Sequence, residues 1–289
     1  MDHILVIGGT GNIGFPLIEM LSKNKDVKIK VGVHNVSSDI QKRFQNLNNI
    51  NIIPFDFLDS STFPEAFSDV NKVFFVRPPR LSNPKEDMFP FLYYARQQKI
   101  QQIVFVSLIG VEKNPITPHH KIEKKIRQLE IPYTFIRPSF FMQNLSTTHL
   151  EDIRKHHDLF IPAGHAKTSF IDTRDIGETA AVCLTESKYI NQELELTGPE
   201  ALTYDEIAKD MSHILEVKIS YSKPSLFKFR RVMIKRGIPK DYVNVMVMLY
   251  LITQLGNAKK VTKTVEKVLK RPPRSIQEFI SDYRNDFIV

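Results

Sequence analysis

Residues 4–14, ILVIGGTGNIG, decide the fold of this chain. The charge-free apolar run at 4–7 predicts a buried strand, and the apolar spacing over 13–21 predicts a helix after it. Between them, Gly8 allows a sharp exit from the strand, Gly11 lets a pyrophosphate approach the backbone, and Gly14 lets the helix pack close to the sheet. A strand, a glycine turn and a helix in this order favour a dinucleotide site over a purely structural turn.

The turn also supplies the first candidate contacts. The N-terminus of a helix offers backbone N–H groups and a partial positive charge to phosphates. We therefore expect a dinucleotide to contact Gly8, Thr10, Gly11, Asn12 and Ile13.

The first half of the chain alternates apolar runs with helical patterns. The runs at 27–34, 50–57, 72–76, 102–107 and 133–137 are nearly continuous in apolar residues, as parallel strands covered on both faces are. Helical patterns lie between the runs, the longest at 84–98. The alternation predicts an α/β protein with a doubly wound, Rossmann-like parallel sheet.

The second half is less regular. We expect short helical turns at 139–144 and 150–156, short strands at 170–172 and 193–196, an edge strand at 219–221, and helices at 174–185, 203–215, 223–235, 240–255 and 275–284. Thr203 and Glu206 fit a capping box at the start of the helix 203–215. Residues 1–150 are expected to form the nucleotide-binding core. Residues 151–289 are expected to form a smaller mixed C-terminal lobe, interwoven with the core, that caps it and holds the substrate.

Composition and charge limit which ligands and which cellular location we expect. The net charge of +8 favours anionic ligands. The densest basic stretch, Lys228–Arg236, lacks the stacking aromatics or reading motif of a nucleic-acid site, so a solvated helix face is favoured. With no charged-then-apolar leader and no bilayer-length apolar run, we expect a cytoplasmic protein without a membrane anchor. The single cysteine, Cys183, fits a buried helix face.

The residues after the second predicted strand bear on the choice of cofactor. Ligands of open α/β sheets lie outside the carboxyl ends of the strands, where an acid usually binds the ribose of NAD. Here the strand ends in His34 and Asn35, with no acid. This absence favours NADP(H), with NAD(H) possible, and His34 with Lys42 or Arg43 is available for a phosphate. The alternative is that His34 is a surface residue without a ligand.

Other strand ends supply further candidates. Asp56 and Phe57 follow the third strand, where a carboxylate and a ring suit an adenine, although Asp56 equally suits a helix cap. Val76 and Arg77 follow the fourth, in a proline-fixed loop with Arg80 in which the arginines either bind a phosphate or acidic substrate or are solvated.

The last two strands end in small or aromatic residues. Ser107 follows the fifth strand, where its hydroxyl suits a nicotinamide or a carbonyl. Pro138 and Phe140 follow the sixth and suit a nicotinamide or another flat ligand, with core packing as the alternative.

Several longer motifs carry a family resemblance. They are VIGGTGNIG at 6–14, VFVSLIGVEKNP at 104–115, HHKIEKKIRQLEIPYTFIRPSFFMQNL at 119–145, LTGPEALTYDEIA at 196–208 and RPPRS at 271–275. Together they resemble the NmrA-like family, an atypical branch of the short-chain dehydrogenase/reductases. The resemblance implies a Rossmann core, NAD(P) binding and a smaller C-terminal lobe that forms a cleft. Some members look like quinone or azo-compound reductases, and others are similar to redox-sensing regulators.

The sequence departs from the related enzymes at the proton donor. Short-chain dehydrogenases usually carry Tyr-x-x-x-Lys on the helix after the fifth strand, and the two positions fall here on Pro115 and His119. Enzymes similar to the isoflavone reductases use the lysine alone, which again falls on His119. The available substitutes are His119, His120 and Lys121, and a histidine can donate a proton near neutral pH. Two adjacent surface histidines are the alternative.

These observations predict an oxidoreductase that uses NADP(H) to reduce a small quinone-like or carbonyl acceptor, with His119, Lys121 and Ser107 as candidate catalytic residues. A non-catalytic nucleotide sensor that acts through a regulatory protein partner is the alternative. The adjacent pairs His119–His120 and His156–His157 lack the spacing of ligands on one helix face, so no metal site is predicted. We expect a monomer or a homodimer.

Overall fold

A computed structural model describes residues 1–288 of the chain as two compact units. The first unit contains residues 1–138, 173–196 and 267–270. The second contains residues 139–172 and 197–266, and the chain from Arg271 onward. Each unit is therefore built from separate stretches of sequence.

The first unit holds a sheet of seven parallel strands in the order β3-β2-β1-β4-β5-β6-β9. The strands are β1 (Asp2–Ile7), β2 (Val27–Val33), β3 (Ile50–Pro54), β4 (Lys72–Val76), β5 (Gln102–Val106), β6 (Tyr133–Pro138) and β9 (Gln192–Leu196). In the centre, Ile4 of β1 is in register with Ile29 of β2 and Lys72 of β4. The order reverses at β1, which confirms the predicted doubly wound parallel sheet.

Helices connect these strands. They are α1 (Gly14–Leu21), α2 (Ser38–Phe44), α3 (Phe63–Phe67), α4 (Pro84–Asp87), α5 (Phe89–Gln97), α6 (Pro118–Gln128) and α8 (Thr173–Thr185). Ser37 caps α2 by accepting a bond from the Ile40 N–H. On one face of the sheet, Phe91 packs edge-on against Phe57 and Phe75, so an aromatic cluster fills the core on that face.

The second unit holds a mixed sheet of three strands in the order β10-β8-β7. They are β7 (Phe140–Phe141), β8 (Thr168–Ile171) and β10 (Ala201–Leu202), with β8 parallel to β7 and antiparallel to β10. The helices are α7 (Leu150–His156), α9 (Tyr204–Leu215), α10 (Leu226–Lys235), α11 (Lys240–Gln254), α13 (Ile276–Asp282) and α14 (Arg284–Phe287). Helix α12 (Thr264–Leu269) contains residues of both units. Thr203 and Glu206 form the predicted capping box of α9.

Three local predictions need correction. The predicted helix 84–98 is interrupted at Met88, since Pro90 lacks an N–H and its ring collides with the carbonyl four residues earlier. Within the predicted helical turn 139–144, Phe140 and Phe141 form a strand paired with β8, and only Met142–Asn144 is helical. The predicted edge strand 219–221 is a single bridge between Ser220 and Asp158, because the Ser220 hydroxyl and the Ser222 N–H both donate to the Asp158 carboxylate instead of continuing a ladder.

No helix within residues 1–288 combines the length and the apolar character needed to cross a membrane.

Candidate functional site

The glycine turn joins β1 to α1 with very little space between backbone segments. Gly8 has a φ of 87°, in the left-handed region that favours glycine, and its carbonyl accepts a bond of 3.0 Å from the Gly11 N–H. A Cβ on Gly14 would lie 2.3 Å from the Gly8 oxygen and 2.7 Å from the Gly9 Cα atom. Gly14 is therefore required by the packing of the turn itself.

Gly11 is placed differently. A Cβ there would meet only the Gly8 oxygen, at 3.3 Å, and both Gly11 and Asn12 are exposed. Thr10 is partly exposed and the Ile13 side chain is buried. The open side of the turn thus presents backbone near the N-terminus of α1, where phosphate groups bind favourably.

Helix α8 packs closely against the glycine turn and the start of α1. A Cβ on Gly177 would lie 2.6 Å from the Ile13 oxygen and 2.9 Å from the Leu17 nitrogen. The two helices therefore approach closely enough to require glycine at this position. Sequence analysis missed this contact, because Gly177 belongs to a helix far along the chain.

The ends of β2 and β3 bring two predicted residues together. The Nδ1 atom of His34 lies 3.1 Å from Oδ2 of Asp56. The other carboxylate oxygen of Asp56 accepts a bond of 2.9 Å from the Leu58 N–H, whereas the helix cap in this loop is Asp59, which binds the Ser61 N–H. Asn35 beside them is exposed.

Phe57 lies in the aromatic core of the first unit. Its ring is buried and packs edge-on against Phe55, Phe75 and Phe91. The ring is therefore part of the core, and leaving this cluster would open a cavity there. Its contact with an adenine stays a prediction.

A cation lies beside the start of α1. The guanidinium carbon of Arg43 lies 4.5 Å from the centre of the Phe15 ring, a distance typical of a cation–π contact. Phe15 directly follows Gly14, so the contact places Arg43 next to the glycine turn. Lys42, the other cation considered for a phosphate, is exposed.

The loop after β4 is organised by Arg77. Its Nη1 atom donates to the carbonyl oxygens of Pro78, at 2.9 Å, and Leu81, at 2.7 Å. Its Nε atom is buried without a partner in residues 1–288, and burial lowers the pKa of the guanidinium. Arg77 thus holds its own loop together, whereas Arg80 is exposed and Val76 partly exposed.

His119, at the start of α6, is held against the end of the sheet. Its ring stacks on Phe105 of β5 with 5.9 Å between centres. Burial, and then the positive charge of Arg77, lower the pKa of His119 to about 3. With this pKa the imidazole of His119 is neutral near neutral pH.

Two buried polar atoms near this point have no partner within the described residues. They are Oγ of Ser107, at the end of β5, and Nδ1 of His119. The neighbouring His120 instead donates from its own Nδ1 to the Val111 oxygen at 3.1 Å, and Lys121 is exposed. Unpartnered buried polar atoms are costly, and they commonly mark a place where a ligand bonds.

The remaining candidates lie at the end of β6 and beyond it. Pro138 is buried and in register with Leu196 of β9. Phe140 belongs to the second unit, where it pairs with Phe170 of β8 and is partly buried.

Comparison with known proteins identifies the family. The sequence model of the NmrA-like family matches residues 1–280. The chain belongs to the NmrA-like family. It is 29% identical over 282 residues to a protein named NAD(P)H azoreductase from Xenophilus azovorans, which covers 96% of each chain.

Solved structures resemble this NmrA-like chain over nearly its whole length. The NADPH-dependent quinone oxidoreductase QOR2 from Escherichia coli, solved with NADPH, has a TM-score of 0.84 at 20% identity and covers 96% of this chain and 99% of its own. NmrA, described as a negative transcriptional regulator and solved with NADP, has a TM-score of 0.76 at 16% identity and covers 98% and 95%. Both similarities concern the fold.

A buried charge network in the first unit of this NmrA-like chain was missed by sequence analysis. Arg137 of β6 binds Glu123 of α6 through two bonds of 3.0 and 2.6 Å, and it also contacts Glu193 at 2.8 Å and Glu112 at 3.5 Å. Arg127 joins both Glu123 and Glu193. The sequence did carry a signal for this network. Arg137 stands between Ile136 and Pro138, and Glu123 stands beside Ile122, so each charged residue interrupts an apolar pattern.

Proposed function

We propose that the chain is an oxidoreductase that binds NADP(H) at the glycine turn and reduces a small quinone-like or carbonyl acceptor. The observation that carries the proposal is the contrast between Gly14 and Gly11 in one turn. Gly14 is needed for packing, whereas Gly11 is exposed and an added Cβ there would meet only the Gly8 oxygen, at 3.3 Å. A glycine at an open position is best explained by a ligand that approaches its backbone.

The residues around the turn suit the phosphate-bearing half of such a cofactor. The start of α1 favours a pyrophosphate, and Arg43 lies beside it on the Phe15 ring. Preference for NADP(H) over NAD(H) is proposed on this cation together with His34, because a phosphate on the ribose would add negative charge here. The nearby Asp56 carboxylate opposes that preference unless His34 compensates for it.

The residues after β5 suit the nicotinamide half. Oγ of Ser107 and Nδ1 of His119 are buried, polar and without a partner in the described chain, so an amide or hydroxyl group of a cofactor would satisfy them. β5 lies beside β4 in the centre of the sheet, where ligands of this fold class bind. The nicotinamide, when bound, supplies the hydride that reduces the acceptor.

The neutral state of His119 bears on the acceptor. A neutral imidazole can donate one hydrogen bond to a developing negative oxygen. A quinone oxygen that receives charge becomes an aromatic alkoxide and needs little protein acid, so the missing tyrosine is less costly for a quinone than for a simple carbonyl. The azoreductase and quinone-oxidoreductase names of the similar proteins support this acceptor class.

A nucleotide sensor is the second candidate. Pro115 and His119 stand where related enzymes carry their tyrosine and lysine, and a structure similar to this chain is described as a transcriptional regulator. A sensor would share the cofactor site but would act through a protein partner. A cytoplasmic location, the division near residue 150 and a monomeric or homodimeric state stay predictions.

Steady-state NADPH oxidation with a panel of quinones, azo dyes and carbonyl compounds separates the two functions. We expect turnover with quinones, and none in Gly11→Val. NADPH binding without turnover on any acceptor would instead favour the sensor. Absence of nucleotide binding in the unaltered protein would contradict both.

A further inference from the structure

The positive charge of the chain is concentrated in one segment of the second unit. Residues 223–263 contain ten Lys or Arg residues and one acidic residue, Asp241. The rest of the chain holds the other 30 of the 40 basic residues and the other 31 of the 32 acidic residues. The segment, which includes α10 and α11, therefore carries a net charge of +9, whereas the rest of the chain carries −1.

Helix α11 also presents an apolar outer side. Val243, Met246 and Tyr250 face the core of the second unit and are buried. On the other side, Met248 and Leu249 are 45% and 38% exposed. A helix that is apolar on both sides is normally covered on both, so its outer side is expected to meet another surface.

The two helices form one continuous surface. Four residues connect them and they pack together, which makes them antiparallel neighbours. The Arg230 Nε atom donates to the Asn244 Oδ1 atom at 2.9 Å. Phe227, which is 75% exposed, lies one turn before Arg230, and Met248 lies one turn after Asn244. The bond between Arg230 and Asn244 therefore places Phe227 and Met248 side by side on the antiparallel pair.

Basic residues follow the same surface. Lys228, Arg231 and Lys235 are exposed at spacings of three and four along α10, so they form one stripe. We name as the α10–α11 face the residues Phe227, Lys228, Arg231, Lys235, Met248 and Leu249.

We propose that the α10–α11 face docks on the surface of an anionic lipid bilayer. Apolar side chains that protrude among lysines suit a membrane interface, where apolar groups enter the headgroup boundary and cations bind anionic lipids. A fluid bilayer requires no complementary pocket. Since no described helix can cross a membrane, the protein would lie on the bilayer.

The charge pattern argues against a second copy of the chain and against a protein partner on this face. A second copy would place two strongly positive faces against each other, which is unfavourable. Seven of the ten basic residues are lysines, a residue type depleted in protein–protein interfaces but common at membrane surfaces, where its chain lies along apolar groups and its ammonium stays in water.

A single introduced tryptophan tests the contact directly, because the chain contains none. In Met248→Trp we expect a blue shift of emission with vesicles of phosphatidylcholine and phosphatidylglycerol, and none with phosphatidylcholine alone. Tyr93→Trp, at a position of the first unit with a similar exposure of 46%, serves as control and is expected to show no shift. Equal shifts in the two variants would overturn the proposal.

Vesicle sedimentation tests the charges. Each basic residue near an anionic membrane contributes about 1 kcal/mol, so Lys228→Gln/Arg231→Gln/Lys235→Gln is expected to lower partition about a hundredfold. The matched control neutralises three exposed lysines of the first unit, Lys23, Lys25 and Lys28, and should retain most of the binding. Thermal unfolding of both variants checks that the fold is intact.

Three outcomes would contradict the proposal. Binding to soluble polyglutamate as strong as to vesicles, and unchanged in Met248→Ser/Leu249→Ser, would indicate an acidic macromolecule. Self-association that this double variant abolishes, without vesicle binding, would indicate a second copy. No sedimentation of the unaltered protein with anionic vesicles at low salt would overturn the proposal outright.

Discussion

The imidazole of His34 and the carboxylate of Asp56 meet across the ends of two neighbouring strands, with 3.1 Å between Nδ1 and Oδ2. An acid thus lies at the end of β2 although the strand itself supplies none. The residues after β2 alone favour NADP(H). Under the proposed function, the preference between NADP(H) and NAD(H) is expected to depend on both residues of the pair.

The first prediction concerns this pair. His34→Asp places a second carboxylate beside Asp56, and we expect it to weaken NADPH binding about tenfold relative to NADH, because charge at this range repels the additional phosphate. Fluorescence titration with both nucleotides measures the ratio. His34→Asn, which adds no charge, is the control. An unchanged ratio in His34→Asp would place the phosphate elsewhere.

The second prediction concerns Arg43. Arg43→Ala should weaken NADPH binding more than NADH binding, since it removes the cation held on Phe15 beside the glycine turn. Lys42→Ala removes the same charge one residue earlier, from an exposed side chain, and should change the ratio less. Isothermal titration of both variants gives the comparison. Equal effects would show that only net charge matters.

The third prediction contrasts two glycines of one turn. Gly11→Val should abolish nucleotide binding and leave thermal unfolding nearly unchanged, because its Cβ meets only the Gly8 oxygen at 3.3 Å. Gly14→Ala should lower the unfolding temperature, because its Cβ would lie 2.3 Å from that oxygen. Nucleotide titration and thermal unfolding are measured on both. Intact binding in Gly11→Val would remove the basis of the cofactor site.

The fourth prediction concerns His119. His119→Ala should reduce carbonyl reduction by about a hundredfold to a thousandfold, because it removes a hydrogen-bond donor to the developing oxyanion. It should reduce quinone reduction less and weaken NADPH binding by about tenfold at most, the value of one hydrogen bond. With a folded-state pKa of about 3, the neutral imidazole persists from pH 5 to 8. The contribution of His119 to turnover should therefore be constant across that range. A break near pH 6.5 that disappears in the variant would contradict the buried, neutral state.

Stability gives an independent check on His119. Its folded pKa is below the unfolded value of 6.5, so between these values the unfolded chain binds more protons. Its contribution to stability is thus fully present above pH 6.5 and is lost as the pH falls toward 3. The difference in unfolding temperature between the unaltered protein and His119→Gln should be constant above pH 6.5 and should change below it.

The fifth prediction concerns the buried network around Arg137. Glu123, which is 2% exposed, neutralises Arg137 through two bonds. Glu123→Gln is expected to cost about 3 kcal/mol of unfolding free energy, because it removes one member of a buried ion pair. Glu130→Gln, whose partner Arg96 is 3.9 Å away at the surface, should cost less than about 1 kcal/mol. Urea denaturation measures both.

Sequence analysis succeeded where a pattern is local. The run at 72–76 became β4 with the predicted bounds, and the spacing of Thr203 and Glu206 formed the capping box. Contacts between segments far apart in the sequence were not predicted. The Phe57 ring belongs to a cluster with Phe91 of α5, and the His34 partner comes from another strand. Side-chain direction and partners are set by tertiary packing, which residue spacing does not encode.

The contact between Gly177 and Ile13 has a consequence for biosynthesis. The turn at the start of the chain is backed by α8, and α8 also fastens the central strands, since Lys72 donates to the Leu184 oxygen at 2.6 Å and Gln102 to the Cys183 oxygen at 3.0 Å. All residues up to the end of α8 must therefore leave the ribosome before the glycine turn is fixed in place. During translation, β1 and the turn are completed only when a helix that is made much later packs against them.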